Sequence, residues 1–190
     1  NGEIYNYKEL AKKYDIHQST LSDTEILVEL FSKLGVKMLS ELNGMFAFVI
    51  FDLKKRSYFI ARDRLGIKPL YYQKKGKFLI FSSEIAPLIS LLGTPEIDDL
   101  GLRQYKKLRT FFNGRTIYKD IQMFPAGYYM LDGELTQYWA LSEDEKLPPD
   151  ADELTSLIKS AVNYRCLSDV PVGSYLSGGL DSTIVASLSK

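Results

Sequence analysis

Near the C-terminal end, the residues Ser177–Ser182 read "SGGLDS", between the apolar stretch "VPVGSYL" and the tail "TIVASLSK". Paired glycines let a backbone approach a ligand closely. A helix opening just after them presents N–H groups without intrahelical partners at the positive end of its dipole. A nest of this kind suits a phosphate or pyrophosphate group. Ser177 and Ser182 can add hydroxyl donors, and Asp181 can hold a Mg²⁺ ion that bridges phosphate oxygens. The plainer reading of Gly178-Gly179 is a turn between a strand and its helix, but the whole string after an apolar strand favours the phosphate site. Rival motifs fail: there is no Walker-type glycine–lysine loop and no GxGxxG. A nucleophile elbow needs glycine two positions before its serine, and Tyr175 stands there. The only histidine, His17, lies in a distant segment, which disfavours a Ser/His/Asp triad.

The chain opens on a second constellation, "NGEIYNYKEL". Asn-Gly is a strong signal for a tight hairpin, because both residues tolerate positive φ. The same pair can set a side-chain amide beside an unobstructed backbone N–H, as in an oxyanion hole. Asp23, in "SDTE", reads first as an acidic residue in the first turn of a helix, where the dipole favours it. Arg62, Asp63 and Lys68 in "ARDRLGIKP" are candidates for a substrate or interdomain site, but a charged structural loop turned by Gly66 and Pro69 is the better reading. Cys166 reads as a small core or interface residue.

Residues of this kind need elements to hold them. "YKELAKKY" (Tyr7–Tyr14) predicts a short helix. In "LSDTEILVELFSKLG", Ser22 and Glu25 have capping-box spacing. Ile26, Leu27, Leu30, Phe31 and Leu34 then form one apolar face before Gly35 ends the helix. "MFAFVIFDL" predicts a strand buried on both faces, paired over a charged turn with "KKRSYFIARD". "PLYYQKKGKFLIFSSE" predicts a second hairpin turning at Lys74–Lys77, followed by a helix from about Ser83 to Leu92. Further strands are expected at "TIYKDIQMF" and "GYYMLDGELTQYW", the latter turning at Asp132-Gly133. The run of Tyr and Phe between Phe46 and Phe81 reads as core. "SEDEKLPPDADE" (Ser142–Glu153) has the acidity and prolines of a linker. Leu154, Leu157, Ile158, Ala161 and Val162 follow the spacing of an amphipathic helix. A strand, the glycine turn and a closing helix come last. The expected division is therefore 1–141, a linker at 142–153, and the start of a second domain at 154–190.

Composition narrows the partners. Of 190 residues, 45% are hydrophobic and 13% aromatic, which describes a globular chain. Lys+Arg and Asp+Glu are both 24, a balance that argues against nucleic acid or an anionic membrane as main partner. No apolar run approaches the roughly 20 residues of a membrane span. One cysteine excludes an internal disulfide framework and fits a reducing cytoplasm, and one Cys with one His excludes a zinc cluster.

"SDVPVGSYLSGGLDST" resembles the pyrophosphate loop of the N-type ATP pyrophosphatases, in the form seen in glutamine-hydrolysing asparagine synthetases. "NGEIYNY", "SDTE", "LNGMFAFVIFD", "ARDRLGIKPLYY", "FSSEI" and "FPAGYY" resemble that family's successive motifs, in order, across nearly the whole chain. The resemblance implies an α+β N-terminal-nucleophile hydrolase fold, an αββα sandwich. It also implies the start of an α/β, Rossmann-like adenine-nucleotide alpha-hydrolase domain. It implies an oxyanion hole from the Asn1 side-chain amide and the Gly2 N–H, glutamine binding by Glu3, and pairing of Asp23 with the α-ammonium group. Leu176 would lie on the adenine side of ATP; Ser177, Gly178, Gly179 and Ser182 would hold pyrophosphate, and Asp181 would hold Mg²⁺.

Under this resemblance the enzyme is a ligase with two sites. Glutamine hydrolysis through a cysteinyl thioester supplies ammonia to aspartate activated by ATP, giving asparagine, glutamate, AMP and pyrophosphate. Cys166 does not align with the family's nucleophile, an N-terminal cysteine. The sequence is thus expected to be a piece cut at both ends and inactive alone. Two alternatives stand beside it: a relative amidating another carboxylate, such as a sugar, a cell-surface group or a β-lactam precursor, and a non-catalytic binding or regulatory module. A homodimer is compatible with all three.

Overall fold

The computed structural model describes residues 1–20, 22–76, 78–142 and 150–189. Two antiparallel sheets form its centre. The first runs in the order β1-β2-β3-β7-β8, from strands β1 (Gly2–Ile4), β2 (Gly44–Asp52), β3 (Ser57–Arg62), β7 (Tyr128–Leu131) and β8 (Glu134–Gln137). The second has the order β5-β4-β6, from β4 (Tyr71–Lys75), β5 (Phe78–Ser82) and β6 (Gln122–Met123).

The alternation along β2 explains the layers. Phe46, Phe48 and Ile50 point to one side, where helices α1 (Tyr7–Lys13), α2 (Asp23–Leu34) and α3 (Met38–Glu41) bring Leu10, Ile26, Leu30 and Leu39. Phe31 of α2 stacks on Phe59 of β3 at 4.6 Å between ring centroids. Ala47 and Val49 point the other way, into a second core shared with Ile60, Leu70, Tyr72, Leu79, Phe124 and Met130. The two sheets therefore pack face to face. Helix α4 (Ile85–Leu92) packs on β4 and β5 and completes a helix–sheet–sheet–helix order. The strand predicted as buried on both faces is covered on both sides only in part: Phe46 and Ala47 are buried, Phe48 to Ile50 are half-buried, and Phe51 and Leu53 at its end are exposed.

Three local expectations need correction. Ser22 caps α2 by accepting from the Thr24 N–H, but Glu25 does not close a capping box. Its carboxylate instead takes the N–H and hydroxyl of both Ser19 and Thr20, at 2.7–2.8 Å. Of "TIYKDIQMF" only Gln122–Met123 pairs as strand. The buried Thr116 hydroxyl accepts from the Tyr118 N–H and donates to the Ile121 carbonyl, and cross-chain pairing there is limited to an isolated antiparallel bridge between Tyr118 and Ile97. The apolar stretch before Ser177 forms no strand, and among the described residues no strand lies alongside it to share a ladder.

Helix α5 (Asp99–Leu108) was not anticipated. Its signal was Asp98, which caps it by accepting from the Leu100 N–H, but Gly101 interrupts the pattern. That glycine lets the helix lie on the 116 segment, because a Cβ there would sit 2.0 Å from the Thr116 carbonyl oxygen. Helices α6 (Ala151–Arg165) and α7 (Leu180–Leu188) follow. Most of the predicted linker, 143–149, lies outside the described residues, as does Lys77 of the predicted hairpin turn.

Candidate functional site

Strand β1 is held to β2 by reciprocal bonds at Asn1 and Ala47: Ala47 N–H donates to the Asn1 carbonyl at 2.9 Å, and the Asn1 amino group donates to the Ala47 carbonyl. Tyr5 N–H then donates to the Asn43 carbonyl. Odd positions of β1 thus face β2. By the alternation of an antiparallel ladder, the N–H groups of Gly2 and Ile4 point off the outer edge. Gly2 must be glycine here: its φ is 123°, and a Cβ would come 2.0 Å from the Met45 carbonyl oxygen. The Asn1 side-chain amide makes no hydrogen bond among the described residues, so it remains available to a ligand.

Asp23 opens α2 and reaches back across this edge. Its carboxylate accepts the Ile4 N–H at 2.8 Å, which pins the first turn of α2 beside β1. Glu3, Ile4, Tyr7 and Lys8, with Ser22 and Asp23, line one side of a cleft of about 670 Å³. Residues 167–170, after α6, line the other. Glu3 and Asp23, both expected at the glutamine site, line this cleft; Asn1 and Gly2, expected with them, precede Glu3 in the chain and are not among its lining residues. The Ser177–Ser182 loop is not part of this cleft.

Two supports of the site escaped the sequence reading. Asn6 donates its Nδ2 to the Glu41 carbonyl and accepts the Asn43 N–H, so "NGEIYNY" is moored at both ends. Glu25 gathers the 19–20 turn that leads into Ser22. Those donors hold its carboxyl down at about 2. An acidic residue three positions after a serine pointed to capping, and nothing local showed that the preceding turn would fold back onto it.

Arg62 and Asp63 prove to be scaffold. The Asp63 carboxylate, almost wholly buried, accepts the N–H groups of Phe46, Leu65, Ile67 and Lys68 at 2.9–3.2 Å. The Arg62 guanidinium donates to the carbonyls of Gly66, Lys68 and Phe124, and burial lowers its pKa. The Lys68 side chain makes no contact with the cleft.

At the far end, α7 opens at Gly179 without a side-chain cap. Gly178 has φ 84°, and Ser177 Oγ lies 3.0 Å from Ser182 Oγ. The Ser182 and Thr183 hydroxyls donate to the Gly179 carbonyl. These hydroxyls are engaged within the loop, and it is the N–H groups of the uncapped helix start that fit the oxygens of a polyphosphate. Asp181, exposed in the first turn, fits Mg²⁺ because the protein commonly supplies that ion one or two carboxylates beside phosphate oxygens and water. Among the described residues no cluster of three or more His, Cys, Asp or Glu could hold a metal by itself. No helix among them is long and apolar enough to cross a membrane. Cys166 caps the end of α6, its N–H bonded to the Val162 and Asn163 carbonyls.

Comparison with known proteins adds to this geometry. Residues 1–139 match a family model described as a glutamine amidotransferase domain, and residues 153–190 match one described as asparagine synthase. The chain is 37% identical over 205 residues to a putative glutamine-hydrolyzing asparagine synthetase 2 of Methanocaldococcus jannaschii, covering 100% of the chain and 39% of the relative. It is 34% identical over 204 residues to glutamine-hydrolyzing asparagine synthetase B of Escherichia coli, covering 100% and 31%. The chain thus spans about a third of the length of these curated relatives. Among solved structures it resembles a glutamine phosphoribosylpyrophosphate amidotransferase from B. subtilis, with a TM-score of 0.53, 17% identity and coverage of 100% of this chain and 42% of the other. That last likeness is one of fold, and the fold is of the N-terminal-nucleophile hydrolase type.

Proposed function

The chain belongs to the glutamine amidotransferase domain family, and from that premise we propose that it is part of a glutamine-hydrolysing asparagine synthetase. Residues 1–141 carry the glutamine site, and 154–190 open the ATP-using domain. The family matches ending at residue 139 and resuming at 153 support that division. The observation that carries the glutamine reading is the outer edge of β1. Gly2 N–H points off that edge, and Glu3 and Asp23 line the cleft that opens beside it.

In this reading glutamine lies along that edge. Asp23 receives its α-ammonium group, while Glu3 contributes to the same cleft. Asn1 and Gly2 donate to the oxyanion that develops on the carboxamide carbon, each donor contributing about 3–4 kcal/mol in comparable sites. Cys166, the only cysteine in the sequence, does not line the cleft, so in this reading the attacking thiolate is supplied by a residue outside 1–190. Ammonia released there passes to the second site. ATP binds the 176–182 loop, with Leu176 toward adenine, Ser177, Gly178, Gly179 and Ser182 on pyrophosphate, and Asp181 on Mg²⁺. Aspartate is the acceptor, and a cytoplasmic setting fits the lone free thiol.

The test uses the full-length protein with glutamine, aspartate and ATP. Asparagine, AMP and pyrophosphate are the expected products, and no pyrophosphate release overturns the reading. Asp181→Ala is expected to abolish ATP-dependent synthesis while leaving glutamate release from glutamine largely intact. Equal loss of both activities contradicts two separate sites.

A further inference from the structure

The far wall of the glutamine cleft is built by the second part of the chain. Residues 167–170 follow α6 and face Glu3, Lys8 and Asp23 across the opening. Little burial holds α6 in place: Val162 is its buried residue, while Leu154 and Leu157 are exposed. What fixes its last turn is polar. The Tyr164 hydroxyl donates to both carboxylate oxygens of Glu9, at 2.9 and 3.1 Å. The Arg165 guanidinium lies over the ring of buried Tyr5, 5.4 Å from its centroid. Glu9 belongs to α1 and Tyr5 immediately follows β1, so both anchor points stand on the elements that form the near wall. Neither Glu9, Tyr164 nor Arg165 lines the cleft itself.

We propose that Tyr164–Glu9 and Arg165–Tyr5 form a latch that docks the second domain on the first and so places 167–170 as the outer wall of the glutamine cleft. Glutamine affinity then depends on residues that never meet glutamine. The effect is entropic. A segment anchored within two or three residues of the wall it supplies loses most of its freedom before the ligand arrives, so the ligand bears less of the ordering cost. Released from the latch, the same segment must be ordered on binding, and affinity falls. The proposal rests on the glutamine reading of the cleft.

The experiment is a double-mutant cycle in the full-length protein, with Glu9→Ala and Tyr164→Phe alone and together, and Arg165→Ala beside them. Glutamate release gives kcat and KM for glutamine, and synthesis with ammonia in place of glutamine reports that each variant is folded. The latch predicts a KM for glutamine raised about fivefold in each single variant, with kcat and ammonia-dependent synthesis unchanged. It also predicts that Glu9→Ala and Tyr164→Phe together cost no more than one alone. Asp23→Asn is the control for the cleft. If Asp23→Asn raises KM and the latch variants do not, the latch is wrong and the cleft stands. If Asp23→Asn leaves KM unchanged, the glutamine reading itself falls. A loss of ammonia-dependent synthesis in both Tyr164→Phe and Arg165→Ala overturns the proposal too, since these contacts would then serve the second domain's fold.

Discussion

Gly2 fulfils two requirements that no other residue type meets together. Its φ of 123° belongs to glycine, and its missing Cβ lets β1 approach the Met45 carbonyl. Gly2→Ala therefore meets backbone strain of about 1–3 kcal/mol together with a direct clash. A lower melting temperature and loss of glutamine hydrolysis are the expected results in the full-length protein, and an unchanged melting temperature would contradict the geometry. From the sequence the Asn-Gly pair stood between a tight turn and an amide set beside an open N–H. The structure places it on a strand edge and not in a hairpin turn. Asn6 was not legible, since its value lies in bonds to Glu41 and Asn43, which sequence spacing does not bring near.

Among the elements, α2 shows how a helix start can be right in position and different in chemistry. Ser22 caps it as spacing predicted, while Glu25 turns to the loop before it. The folded-state pKa of Glu25 falls from 4.5 to about 2. A carboxyl held below its unfolded value stabilises the fold above pH 4.5, and that contribution is lost as pH falls through 2. The melting-temperature difference between wild type and Glu25→Gln is expected to be constant near neutrality and to shrink between those limits. A difference that does not change over that range contradicts the clamp. Amphipathic faces and hairpins were readable because their periodicity is local. Helix α5 was hidden by a glycine that serves a distant carbonyl, and Thr116 turned a β-rich stretch into side-chain-bonded loop. The apolar run before Ser177 has strand composition, yet pairing is a property of neighbours.

At the scale of the whole molecule, the end of β3 is where the chain crosses between the two sheets. Asp63 gathers Phe46 of the first sheet and the 65–68 turn that leads to the second, and its backbone carbonyl accepts the Gly127 N–H on the way back. Arg62 ties the same turn to Phe124. Removing the Asp63 carboxylate strands four backbone donors in or near the interior. Asp63→Ala is expected to destabilise the amidotransferase domain by about 3 kcal/mol or more, although it touches no residue of the cleft. Chemical denaturation checks this, and a cost under about 1 kcal/mol would show that water replaces the carboxylate. The sequence suggested a charged structural loop here, but not that it joins the layers, because the partners lie on both sides of a fold that had not yet been assembled.

The outer edge of β1 has a further consequence. A sheet margin with unclaimed N–H groups is a template onto which another polypeptide can add a strand. This margin is three residues long, and Asp23 occupies the Ile4 donor. The carboxylate proposed to receive glutamine thus also guards the protein against edge-to-edge self-association. Without that carboxylate the Ile4 N–H would return to an open edge.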